Sequence, residues 1–298
     1  ETAFASRPSN VDSNLTKLEG ETLRRVLLID GTATNGPITN ATVIDGVSIQ
    51  NGSAHPAAGT LTKGGGIYCN GSGAGHDCSP SINNATFSRN MADFGGAISN
   101  EGNEFGASSP NITHSVFNGN TALNGGALYN YGSNGNSSPS ISNTTFSGNS
   151  ARNSGGAMFN HGSSAGTSSP SITNSTFSGN SASAGFGGAL VNSAIGGTSS
   201  PSITISTFSG NSAHGSGGGS GGFSVTASNG TSKPTIIASI FWSNTADFAG
   251  AQINNYAAVP NISYSIVQGS GGSTNWDSGL GTSGLGNLDM DPLLGPLA

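Results

Sequence analysis

The sequence is poor in charge. Asp, Glu, Lys and Arg together make up 7% of 298 residues, against about 25% in an ordinary soluble domain. Eight Lys and Arg against fourteen Asp and Glu leave a net charge of −6. That is too little positive charge to neutralise phosphates, so no nucleic-acid partner is expected. The Ala, Glu, Lys and Leu excess of a helical bundle is missing too. Two cysteines cannot be the framework of a chain this long. Apolar runs such as Val26–Ile29 fall far short of the roughly 18 residues of a membrane span, so none is expected in this segment. No initiator Met, basic n-region or apolar h-region opens the chain. It reads as the interior of a longer precursor, with a secretory leader already removed.

Gly, Ser, Thr and Asn fill the space. Gly and Pro make up about a fifth of the residues, below the roughly 25–30% of low-complexity sequence. Apolar residues recur at even intervals, which disordered chains do not show. The unit SSPSITNSTFSGNSA…GGAL repeats, with prolines at Pro80, Pro110, Pro139, Pro170 and Pro201, spaced 30, 29, 31 and 31 residues apart. Pro234 and Pro260 continue the series at 33 and 26. Phenylalanines fall in step at Phe87, Phe117, Phe146, Phe177, Phe208 and Phe241.

One unit has too few apolar residues for a core, so it must bury them against its neighbours. Each unit carries three short candidate strands: one with an Ile after the proline, one with the Phe, and one after Gly-Gly with Ile98, Leu128, Met158 or Leu190. Ile172 and Phe177 are five apart; residues on one face of a strand sit at even offsets, so a corner must lie between them. Helical period is absent, and propeller blades use longer, four-stranded units. A parallel β-helix of about 30 residues per turn remains, with three short strands per turn and turns about 4.8 Å apart. Asn90, Asn120, Asn149, Asn180, Asn211 and Asn244 each follow the Phe by three residues. They are expected to stack as a hydrogen-bonded ladder, Asn also suiting the left-handed backbone of a tight corner.

FxxN together with GGAI resembles the repeat of chlamydial polymorphic outer-membrane proteins and of many secreted bacterial right-handed parallel β-helix proteins. The segments NVDSNLTKLEGE…VLLIDGT…TVIDGVSIQNG and GNLDMDPLLGPLA resemble the first coils and the last coil of such proteins. The resemblance implies a right-handed β-helix, an extracellular or cell-surface location, and further segments beyond the chain. One domain is expected over 1–298, with lead-in coils at 1–46, regular repeats at 47–268 and a terminal coil and tail at 269–298.

The chemistry of catalysis is thin. Between Phe105 and Ser232 the only charged residue is Arg152, so the central turns lack both the acidic calcium cluster and the base of a polysaccharide lyase. They equally lack the paired carboxylates of a glycoside hydrolase. Asp30 and Asp45 lie near the start, Glu101 and Glu104 on one loop, and Asp289 and Asp291 near the end. Asp93 and Asp247 occupy equivalent repeat positions several turns apart, and Asp289–Met290–Asp291 reads as a capping turn. His55, His76, His114, His161 and His214 show no metal-ligand spacing, so no metal and no cofactor are expected. Cys69 and Cys78 flank a divergent loop, NGSGAGHD, and in a secreted chain favour a disulfide. The eleven Asn-x-Ser/Thr sequons largely follow from the repeat itself. Thr86, Thr145, Thr176 and Thr207 form a column that Val116 and Ile240 interrupt, which argues against an ice-binding face.

The expected function is therefore a non-enzymatic extracellular structural protein, a surface or fibre-forming β-helix with an adhesive role. Its ends, with only Leu23–Ile29 to close one and the apolar DPLLGPLA at the other, point to head-to-tail self-association. Surface glycans are the other expected partner. The alternative is a carbohydrate-active β-helix, polysaccharide-binding or lyase-like, that works through its loops.

Overall fold

The computed structural model describes residues 16–32, 36–54, 62–215, 219–247 and 250–295; His55, the first fifteen residues and the last three therefore lie outside the described residues. The chain winds as a parallel β-solenoid. A complete central turn visits a Phe strand, a short Ala strand, a strand after Gly-Gly and an Ile strand. Corresponding strands of successive turns pair in parallel to give, among the described residues, sheets of nine, five, eight and nine strands. Thr145–Ser147, for example, pairs in register with Val116–Asn118 before it and Thr176–Ser178 after it. The lead-in residues already belong to the solenoid, since Thr16–Glu19 pairs with Val47–Gln50.

The repeat periods come out as vertical columns. Phe87, Phe117, Phe146, Phe177, Phe208 and Phe241 are wholly buried. Their rings stack nearly parallel at 4.5–4.8 Å between centroids, the strand spacing of a sheet. Ile82, Ile112, Ile141, Ile172, Ile203, Ile236 and Ile262 form the next buried column, and Ile67, Ile98, Leu128, Met158, Leu190, Phe223 and Ile253 the third. Each such side chain contributes roughly 1.5–3 kcal/mol on burial.

The expected corner between Ile and Phe is present. Its left-handed residue is Asn174 (φ 46°) in one turn and Asn143, His114 or Ile205 at φ 48–50° in others. The following hydroxyl locks it: Ser175 Oγ donates to Thr173 O at 2.9 Å and accepts from Thr144 N at 3.3 Å. At the corner before the third strand, Gly125 takes φ +64°. A Cβ on its neighbour Gly126 would stand 2.1 Å from Gly156 O, so the closeness of the turns forbids a side chain there.

Two expectations need correction. Besides the three main strands, a short fourth runs after the ladder asparagine, at Thr121–Asn124, Ser150–Ser154, Ser181–Ala182, Ser212–Ala213 and Thr245–Ala246. Burying Ala122, Ala151, Ala182 and Ala213 is enough to hold it in register. The left-handed residue at the Phe–Asn corner is not the asparagine but the one before it: Gly119, Gly148, Gly179 and Gly210, with φ of 59–65°. The asparagine side chain points inward instead.

The ends also differ from expectation. Leu27–Asp30 does not close the N-terminal end; it pairs with Ile67–Asn70 as an ordinary strand and leaves Leu23 77% and Leu28 54% exposed. At the other end a 3-10 turn, Ser278–Leu280, is capped by Asp277 and buries Leu280. Trp276 packs against the core and donates its indole N–H to Gly281 O at 2.8 Å. Asn255 Nδ2 ties this turn down by donating to Gly279 O at 2.8 Å. Asp289 accepts from the Gly269 and Gly271 amides, each at 2.9 Å, the capping role expected of it.

Candidate functional site

The asparagine ladder is continuous from Asn90 to Asn244. Asn149 shows its logic: its Oδ1 accepts from Asn120 N and Asn120 Nδ2 at 3.0 and 2.9 Å. Its Nδ2 donates to Phe117 O at 2.9 Å and to Asn180 Oδ1 at 3.0 Å. Every polar atom of the amide is spent, as burial demands. The ladder is terminated by Gln252, whose Oε1 accepts from Asn244 Nδ2 at 2.6 Å.

A second ladder escaped the sequence reading. Asn100, Asn130, Asn160 and Asn192 are wholly buried and linked Nδ2 to Oδ1 at 2.8, 2.7 and 2.7 Å. Their signal was visible as an Asn two residues after the apolar residue of GGAI, GGAL or GGAM. In register, Cys69 precedes Asn100 and Val225 follows Asn192. Cys69 and Cys78 form the expected disulfide, both almost wholly buried. Ser108 Oγ donates to the carbonyls of both, at 3.1 and 3.2 Å.

Arg25, Lys63 and Glu101 gather with Tyr68, Tyr129 and Tyr131 at the outer face of the third sheet. There the register runs Tyr68, Ser99, Tyr129, Phe159 in one column and Asn70, Glu101, Tyr131, His161 in the next. Glu101 was expected on a loop; it lies in the strand Ile98–Glu101 and is 2% exposed. Lys63 Nζ reaches Glu101 Oε1 and Oε2 at 2.7 Å each, and Tyr68 Oη donates to Oε2 at 2.9 Å. Two half-buried partners for one buried carboxylate keep its charge compensated. Arg25 stands 5.0 Å from the Tyr68 ring centre and donates to Lys63 O at 2.7 Å, a cation–π arrangement. Burial first, and the Glu101 charge second, push the Tyr68 hydroxyl far above the usual phenol range.

Beyond Glu101 the face turns aromatic. Tyr129 is central, with ring centroids of Phe94, Phe159 and Tyr131 at 4.8, 5.7 and 5.9 Å. His161 lies 5.2 Å from Tyr131, and desolvation lowers its pKa. Nothing in the repeat announced this gathering, because Lys63 and Tyr68 are off-repeat residues and Glu101 lies one turn beyond them.

The remaining acids and histidines stay apart. Asp93 accepts from Thr62 N at 2.9 Å, whereas Asp247 pairs with His214 at 3.0 Å on the surface. Asp30 holds Thr32 and Asp45 holds Asn84. Among the described residues no three of His, Cys, Asp and Glu are grouped to hold a metal, and no helix is long and apolar enough to cross a membrane.

Residues 114–131 match the Chlamydia polymorphic membrane protein repeat. They span one Phe strand, the Asn120 rung and the Gly-Gly corner, the parts that the FxxN and GGAI motifs mark. No curated protein and no solved structure matches the chain.

Proposed function

We propose that the chain is the shaft of a non-enzymatic extracellular protein, a cell-surface β-helix scaffold that adheres through its flanks and self-associates end to end. The observation that carries this reading is the continuity of the interior. The phenylalanine stack and the first asparagine ladder run unbroken from the turn of Asn90 to that of Asn244, which suits a stiff spacer. The match to a membrane-protein repeat supports the surface location. End-to-end growth draws support from the N-terminal edge: Thr16–Glu19, Leu27–Asp30 and Val43–Asp45 each have a strand partner on one side only among the described residues. Leu18, Leu28 and Val43 are exposed there. Such an edge pairs head to tail without closing.

Electron microscopy of the purified chain and light scattering across concentration test the assembly. Filaments with a strand spacing near 4.8 Å along the axis are expected; a monomer persisting at high concentration refutes association.

A second reading, a carbohydrate-active protein, is favoured by one observation, the Glu101 carboxylate held by Lys63 and Tyr68 beside a row of rings. Acidic and neutral polysaccharides incubated with and without calcium separate the two readings. Product that disappears in Glu101→Gln would overturn the scaffold reading.

A further inference from the structure

A hollow of about 360 Å³ opens on the outer face of the Phe sheet, far from the Glu101 cluster in sequence. Leu288 bridges Ile266 at the end of that sheet. The chain then returns across earlier turns, because Asp291 and Leu294 line the same hollow as Ser178, Ser209 and Trp242. Gly179 and Gly210 form part of its floor, and a Cβ at either would meet nothing within 4 Å. The volume lies within the roughly 300–1,000 Å³ of small-molecule sites.

Trp242 is the residue that breaks the repeat. In register its position is Ser88, Asn118, Ser147, Ser178 and Ser209 in the preceding turns. A half-buried indole therefore stands where the fold needs only a small polar residue, and its bulk serves nothing in the core.

The lining narrows the ligand. It holds no Lys or Arg, and its one charge is Asp291, whose Oδ1 accepts from Leu293 N at 2.8 Å. On a chain of net charge −6 this disfavours phosphates, nucleotides and uronic acids. A single carboxylate is too few ligands for calcium. Serine hydroxyls and open glycine backbone beside an indole do fit a molecule with one apolar face and a rim of hydroxyls. We propose that this hollow binds a neutral saccharide, one sugar ring packed on Trp242 and its hydroxyls bonded to the serine floor and Asp291. The site goes beyond the scaffold reading and stands whether or not chains associate.

Isothermal titration calorimetry reads the site, because the Trp242 variants remove the indole that a fluorescence titration would report on. Neutral gluco-, manno- and galacto-oligosaccharides are titrated into the wild type and Trp242→Ser, with oligogalacturonate in parallel. Trp242→Ser restores the repeat residue and keeps the native circular dichroism and melting curve. A saturable response to at least one neutral sugar, weakened tenfold or more in Trp242→Ser and retained in part by Trp242→Phe, is the expected result. No response to any neutral sugar, an undiminished response in Trp242→Ser, or equal binding of oligogalacturonate would each overturn the proposal. Filament formation is scored separately, so the two readings fail independently.

Discussion

Asn192 and Asn255 face one another across Val225, each with an unspent polar atom. Val225 pairs in register with both. Asn192 Nδ2 is buried without an acceptor and Asn255 Oδ1 is buried without a donor. The polarity is complementary, since every link of this ladder donates toward the C-terminal end. One missing amide accounts for both orphans.

Val225→Asn is expected to rejoin the ladder, accepting from Asn192 and donating to Asn255. Losing a buried valine costs about 1.5–3 kcal/mol, and relieving two buried orphans returns about 1–3 kcal/mol each. The net change is therefore small or stabilising in the wild type. In an Asn192→Val background the same substitution should be clearly destabilising, with a coupling of about 2 kcal/mol by denaturant unfolding. Additive effects would refute the pairing.

Ile205 carries avoidable strain. It holds φ 49° and is 61% exposed, in the corner position that other turns give to Asn84, Asn143 and Asn174. A β-branched residue there is an outlier, costing roughly 1–2 kcal/mol. Ile205→Asn should gain about 1 kcal/mol, whereas Asn174→Ile should lose a similar amount. Equal melting temperatures for all three proteins would contradict this.

The disulfide doubles as the foot of the second ladder. Asn100 Oδ1 is buried without a donor directly above Cys69. Removing the Cys69–Cys78 link frees a ten-residue loop, which the chain-entropy treatment values at roughly 3 kcal/mol. Cys69→Ala with Cys78→Ala should lose about that much. Cys69→Asn with Cys78→Ala should lose less, because the new amide can donate to Asn100. Urea midpoints of the two double variants decide the order.

His161 should make the protein acid-sensitive. Its Nε2 is buried without a partner, and desolvation lowers its pKa. As pH falls below about 6.5 the unfolded chain takes up the proton first, so folding stability declines toward the lowered folded pKa. Above about 6.5 the contribution is fully present. Its neighbours here are the Tyr131 and Phe159 rings. His161→Phe keeps the stacking and should flatten the decline between pH 7 and 5. An unchanged slope would place the sensitivity elsewhere.

Proline and phenylalanine spacing, the five-residue step from Ile172 to Phe177, and FxxN determined the solenoid, its first corner and one ladder. These features depend only on the period, because in a solenoid a residue's neighbour is its own copy one turn away. The off-repeat residues were a different matter. Glu101 meets Lys63 and Tyr68 only because the preceding turn lays Tyr68 beside Ser99 on the third sheet and brings Lys63 within reach of the carboxylate. Trp242 meets Asp291 only because the tail doubles back across the Phe sheet. Such contacts are set by how far each loop travels before rejoining the stack, a quantity that periodicity does not encode. Tertiary structure alone decided them.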